Sequence, residues 1–209
     1  SCAGLLMASE LDALQAVLGA PKRPLVAVVG GAKVSSKLDL LENLITKVDY
    51  LIIGGAMANT FIAALGNSVG ASLCEHSMAD TALRILYNAK SIGCEIILPS
   101  DVIVAEKFAK NAGNIMVNAT DCPSGYMILD VGNKTITQIS ECLSKAKTVI
   151  WNGPLGAFEL TPFDRGTTVT MQTVARLTKL GKITSVAGGG DTVAALNHAG
   201  VGGAFTSVS

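Results

Sequence analysis

Apolar and polar positions along this chain follow two alternating rhythms, short β-rich runs and longer stretches with helical spacing. Leu25–Val29 is a compact apolar run, and Leu38, Leu41, Leu44 and Ile45 follow it on one helical face. Tyr50–Ile53 is a second such run, ahead of a helix predicted through Phe61 and Leu65. Residues 81–91 read as a helix with Leu83, Leu86 and Tyr87 as its apolar positions, and 95–98 as a strand. The stretch 101–132 is less regular, with short strands expected over 102–104, 115–117 and 127–131 as a side sheet. The alternation then resumes: helix 136–145, strand 148–151, helix 166–178, strand 183–187, a helix ending at His198, and a last strand over 204–208. Upstream, Met7, Leu11, Leu14 and Leu18 form one helical stripe that ends at Gly19 and Pro21.

Strands separated by helices predict an α/β fold. The expected architecture is a doubly wound, Rossmann-like parallel sheet of about six strands, with helices on both faces and a small side sheet. No linker rich in proline, serine or charge divides the chain, so residues 1–209 read as one domain.

Composition narrows the class of partner. With 209 residues the chain can bury a substantial core. A formal net charge of zero argues against a general basic face for nucleic acid. Aromatic residues make up only 4% while glycines number 22, which suits close helix-on-sheet packing. Five cysteines stand about twenty or more residues apart with no C-x-x-C pair, so free thiols in a reducing compartment are expected. Residues 50–74 carry no charge and are long enough to span a bilayer. Gly54-Gly55, Asn59, Thr60, Asn67, Ser68 and Gly70 interrupt them, however, and a strand, a glycine turn and a buried helix explain the stretch better.

Glycine-rich or polar turns follow nearly every apolar strand, on the sheet edge where open α/β folds bind ligands. Neither GxxxxGK[ST] nor GxGxxG occurs, so the familiar nucleotide fingerprints are missing. In VVGGAKVSSK, Gly30 and Gly31 allow a close backbone approach, the following helix points N–H groups at that spot, and Lys33 and Lys37 stand four residues apart. The segment alone is equally a plain strand-to-helix turn with two solvated lysines. In VAGGGDT, Asp191 is either an N-cap or a Mg²⁺ ligand beside a phosphate. In WNGPLGAFE, Glu159 is either a surface carboxylate or an acceptor for ribose hydroxyls.

VVGGAKVSSK, IGGAMANTF, LPSDVIVA, ILDVG, TVIWNGPLGAFE, FDRGT and SVAGGGDTVAAL occur in the order and approximate spacing of one family. The chain resembles the carboxyl-terminal, nucleotide-binding domain of phosphoglycerate kinase over essentially its whole length. WNGP-x-G-x-FE together with GGGDT is far more specific than any glycine loop alone. The resemblance implies transfer of the acyl phosphate of 1,3-bisphosphoglycerate to Mg-ADP, giving 3-phosphoglycerate and ATP, in the cytoplasmic pathway of glycolysis. It implies that Lys37 contacts the nucleotide phosphates and that Lys33 meets the transferring phosphoryl group. It further implies Asp191 on Mg²⁺, Gly189, Gly190 and Thr192 around the phosphates, and Glu159 on the ribose. Gly31, Ala32, Gly55, Leu129, Asn152 and Pro154 would line the adenosine slot. His76 and His198 match no catalytic position of the family.

The opening SCAGLLMASEL resembles the interdomain segment of the family, placing residues 1–20 in the interdomain helix. The expectation is therefore a nucleotide lobe without the amino-terminal lobe, whose Arg and His patch binds phosphoglycerate, and without the terminal TGGGA segment. Such a lobe would be monomeric and bind ADP or ATP without turnover. Two other readings remain at this point: a stand-alone nucleotide-binding or scaffold module, and a nicotinamide-dependent dehydrogenase that lacks the usual fingerprint.

Overall fold

The computed structural model describes residues 20–209; Cys2 and the stripe of Met7, Leu11, Leu14 and Leu18 lie outside them. In chain order the elements are β1 (Leu25–Val29), α1 (Val34–Ile45), β2 (Tyr50–Ile53), α2 (Gly55–Ala64) and α3 (Ala79–Ser91). Then follow β3 (Glu95–Ile97), β4 (Asp101–Ala105), β5 (Asn114–Asn118), β6 (Met127–Val131), α4 (Asn133–Lys145) and β7 (Thr148–Asn152). The last are α5 (Arg165–Lys179), β8 (Thr184–Ala187), α6 (Gly190–His198) and β9 (Ser207–Val208). A single 3₁₀ turn, His76–Met78, precedes α3.

Six strands form one parallel sheet in the order β3-β2-β1-β7-β8-β9. Strand residues point alternately to its two faces, and here both faces are covered. Leu25, Ala27 and Val29 pack with α1, α2 and α3 through Leu41, Leu44, Phe61 and Ile85. Val26 and Val28 pack on the opposite side with α4, α5 and α6 through Ile139, Leu143, Met171 and Leu196. Every residue of β1 is therefore buried, which is why the run shows no polar alternation. The α/β, doubly wound, Rossmann-like sheet with helices on both faces is the architecture expected. Among the described residues no helix is long and apolar enough to cross a membrane; residues 50–74 fold as β2, α2 and a loop.

The side sheet is antiparallel, in the order β5-β4-β6, with a register shift between Ile103 and Val104. It places Leu129 and Asp130 against the loop after β7, where the Ala157 N–H donates to the Leu129 carbonyl at 2.8 Å. Asp101 closes its other end by accepting from the N–H groups of Lys134 and Thr135 at the start of α4.

Two local expectations are corrected. The inward face of α3 is Ala82, Ile85 and Ala89, whereas Leu83 and Tyr87 are 40% and 73% exposed and only Leu86 packs partly on the core. Small alanines let the helix sit close to its neighbours, so bulk is a poor guide to the buried stripe. The final strand is shorter than 204–208, because Phe205 turns into the core and meets Trp151 edge to face at 6.5 Å. Only Ser207 and Val208 pair with β8.

Candidate active site at the sheet switch point

β1 and β7 are neighbours at the centre of the sheet, and the strand order runs outward from them in opposite directions. The loops leaving their carboxyl ends therefore part and leave a crevice between them. The backbone there is laced across the gap. The Gly30 N–H donates to the Asn152 carbonyl at 2.8 Å, and the Gly55 N–H donates to the Leu155 carbonyl at 3.0 Å. A Cβ on Gly30 would stand 1.8 Å from the Pro154 carbonyl oxygen, so only glycine permits this approach.

Lys37 fills the crevice floor. Its Nζ donates to the Gly30 carbonyl at 2.6 Å and to Asn152 Oδ1 at 2.7 Å. Asn152 is 3% exposed, and its Nδ2 in turn donates to the Gly188 carbonyl at 2.9 Å, tying β7 to the loop after β8. The Thr192 hydroxyl oxygen accepts the Gly153 N–H at 2.7 Å. Burial lowers the Lys37 pKa from 10.5 to about 8, against the opposing pull of the nearby Asp191 carboxylate. The half-buried ammonium is thus a cation held at a site with too little negative charge to balance it.

α6 starts at the same place. The first intrahelical bond is Val193 N–H to the Gly189 carbonyl, which leaves the N–H groups of Gly190, Asp191 and Thr192 without helical partners. Gly189 makes the turn at φ 100°, a conformation that favours glycine. The positive end of α6 and Lys37 together suit an anion. Asp191 is exposed in the first turn. Among the described residues no three His, Cys, Asp or Glu side chains converge to hold a metal by themselves. A lone carboxylate beside an anion site suits a cation that arrives with phosphate oxygens, since Mg²⁺ takes one or two carboxylates and keeps the rest of its shell.

A cleft of about 510 Å³ opens beside these groups, lined by Gly31, Ala32, Gly55, Leu129, Pro154 and Asp191 among others. Most of the remaining wall is apolar, including Leu73, Phe108, Met127 and Leu155. Of the candidate residues, those six share the cleft, while Lys37, Asn152, Gly189 and Thr192 stand in the bonded cluster at its floor. Gly190 is exposed at the start of α6. Lys33 and Glu159 are exposed and do not line the cleft.

The expected role of the first helix is corrected. The N–H of Ser35 donates to Glu75 Oε1 at 3.1 Å, and the Ser35 hydroxyl bonds the other oxygen. Burial opposes ionisation of Glu75, but the bonds from Ser35 and Val34 and the charge of Lys33 outweigh it and hold the carboxyl below its usual range. The start of α1 is thus already occupied by a carboxylate, and the open helix end at the crevice belongs to α6. The lysine pair is not a simple i, i+4 pair either. Lys33 is the extended N-cap, and Lys37 has non-helical angles (φ −123°, ψ 15°) that break α1 as its side chain turns back to Gly30.

Residues outside the candidate set also shape the site. Asp130 is 3% exposed and accepts the N–H groups of Val131 and Gly166, and burial raises its pKa to about 7. Asn59 is buried at the cleft wall; its signal in the sequence was a polar residue inside the uncharged run 50–74. Glu75 gave no local signal. His198 pairs with Asp164 at 2.8 Å and packs on Phe158, a contact away from the crevice floor. Cys74, Cys94, Cys122 and Cys142 are free thiols, and burial pushes Cys94 and Cys142 up to about 11.

Known proteins share this fold. The phosphoglycerate kinase from Coxiella burnetii superposes with a TM-score of 0.90 at 43% identity over 98% of this chain, which corresponds to 52% of that chain. The phosphoglycerate kinase from Pyrococcus horikoshii superposes with a TM-score of 0.77 at 27% identity, covering 98% of this chain and 51% of that one. In sequence, the phosphoglycerate kinase of Jannaschia sp. is 59% identical over all 209 residues and that of Methylorubrum populi 60% identical over 207. The chain spans about half the length of these curated relatives, 53% and 52% respectively. The phosphoglycerate kinase family model matches residues 1–209 from end to end. With the WNGP and GGGDT loops meeting on Lys37 in the same fold, the chain belongs to the phosphoglycerate kinase family.

Proposed function

We propose that this chain is the nucleotide-binding lobe of a phosphoglycerate kinase, which moves the acyl phosphate of 1,3-bisphosphoglycerate to Mg-ADP and yields 3-phosphoglycerate and ATP. The observation that carries this reading is the meeting of Lys37, Asn152 and the open start of α6 beside a largely apolar cleft, in a member of this family. Lys37 and the N–H groups of Gly190, Asp191 and Thr192 hold the nucleotide phosphates, with Gly189 giving the turn its shape. Asp191 would hold a Mg²⁺ arriving with them, which would shield the phosphate charge. The base lies along Gly31, Ala32, Gly55, Leu129 and Pro154.

Lys33 is exposed ahead of α1, with its charge near Glu75, and is open to a phosphoryl donor brought by a second lobe. Its charge compensates the phosphoryl group in transfer, where positioning and charge neutralisation supply most of the catalysis. Glu159, exposed on the loop after β7, is the acceptor proposed for the ribose hydroxyls. This lobe by itself binds nucleotide as a monomer without turning over, in a reducing, cytoplasmic setting that suits its free thiols. A coupled assay on a full-length protein carrying this chain tests the reading: Lys33→Ala lowers kcat by at least a hundredfold and leaves the KM for ADP within about threefold. Near-normal turnover of that variant would remove Lys33 from the mechanism.

A further inference from the structure

Asn59 stands in the middle of α2, 1% exposed, on the wall of the cleft. Its Nδ2 donates to the Leu73 carbonyl at 3.1 Å. That bond fixes which way the amide faces, because a carbonyl oxygen accepts only from the NH₂ end. Oδ1 is left as the sole buried side-chain oxygen or nitrogen without a partner among the described residues. Of the residues that line the cleft with it, Ala56, Ala58, Ala71 and Leu73 have no side chain that donates.

A buried acceptor without a donor is costly, and native structures rarely keep one unless something else satisfies it. The oxygen is therefore suited to a ligand that is flat, largely apolar and carries an N–H donor on its edge. On the nucleotide reading above, on which this inference rests, that ligand part is the base. Purines differ at one edge position: a 6-amino purine offers an N–H donor there, and a 6-oxo purine offers an acceptor. An acceptor facing Oδ1 would leave both oxygens unpaired, so a polar site of this kind discriminates sharply against the wrong group.

We propose that Asn59 is the residue that selects the base, its Oδ1 accepting a hydrogen bond from the amino group of a 6-amino purine and disfavouring 6-oxo purines. Calorimetric titration of the chain with ADP, IDP and the diphosphate of unsubstituted purine riboside tests this. ADP binds about tenfold or more tighter than IDP, and the unsubstituted purine falls between them. In Asn59→Ala the affinity for ADP drops about five- to tenfold and the ADP-to-IDP ratio collapses toward one. The unsubstituted ligand measures the same bond in the unaltered protein, so the test survives a variant that folds poorly. Equal binding of ADP and IDP, or an unchanged ratio in a folded Asn59→Ala protein, would assign Oδ1 to a trapped water and overturn the proposal while leaving nucleotide binding intact. Absence of ADP binding by the unaltered chain would overturn the nucleotide reading as well.

Discussion

Binding of a nucleotide to this crevice should draw a proton from solvent at mildly alkaline pH. Lys37, with its pKa lowered to about 8 by burial, is half protonated at pH 8 in the free protein. A phosphate oxygen placed about 4 Å from Nζ would contribute on the order of 4 kcal/mol at an effective dielectric of about 20, roughly three pKa units. The bound lysine is then fully charged at pH 8, so about half a proton is taken up per nucleotide. At pH 6.5 the free lysine is already charged and the uptake from Lys37 vanishes. The phosphate's own second ionisation, near pH 6, is complete at pH 8 and adds nothing there. Isothermal titration with Mg-ADP in HEPES and in Tris, which differ in ionisation enthalpy, reads the proton number as the slope of observed against buffer enthalpy. Lys37→Met separates this lysine from Asp130, the other cleft group that titrates near neutrality. The variant removes most of the slope at pH 8 and weakens binding roughly tenfold or more, as expected for loss of a charged hydrogen bond. A flat slope in the unaltered protein at pH 8, or an equal slope in Lys37→Met, would refute the placement of phosphate at Nζ.

The glycines of GGGDT should separate by backbone geometry. Gly189 sits at φ 100° while a Cβ on Gly190 meets open space, so Gly189→Ala lowers thermal stability by about 1 kcal/mol or more and Gly190→Ala leaves it nearly unchanged. Equal melting temperatures for the two would contradict the turn assigned to Gly189. Asp130 gives a pH signature of opposite sign to an ordinary surface carboxylate. Its folded pKa lies near 7, above the ordinary aspartate value of 3.8, so its contribution is fully present at low pH and is lost as pH rises toward and through 7. Urea denaturation should show the unaltered protein losing up to a few kcal/mol between pH 5 and 8 relative to Asp130→Asn; parallel pH profiles would show that Asp130 ionises normally.

Much of the fold was legible because its signals are local. The five-residue run at β1 and the glycine turns after β1, β7 and β8 follow from short-range chemistry, and they place the crevice correctly. What escaped depends on contacts far apart in the chain. Glu75 reaches back across 40 residues to cap α1, so a helix start that looked open is filled. Lys37 leaves helical geometry because Gly30 and Asn152 capture its ammonium, and Asn152 arrives from a strand 115 residues away. The buried stripe of α3 differs from the one its bulky residues predict because Ala82 and Ala89 are buried through smallness rather than hydrophobic bulk. Asp130 looks like an ordinary strand residue until β6 is seen packed against the start of α5, where Gly166 donates to it.

The most direct test of a nucleotide site at the switch point is an amide chemical-shift map of the ¹⁵N-labelled chain titrated with Mg-ADP. Saturable shifts should concentrate at Gly30, Gly31, Gly188, Gly189, Gly190 and Asp191, with a second group around Leu129 and Asn59 on the cleft wall. The dissociation constant should fall between micromolar and millimolar, as for nucleotides of metabolic enzymes. Shifts confined to the opposite sheet edge, near Arg23 and Asp49, or none that saturate, would contradict a nucleotide site here.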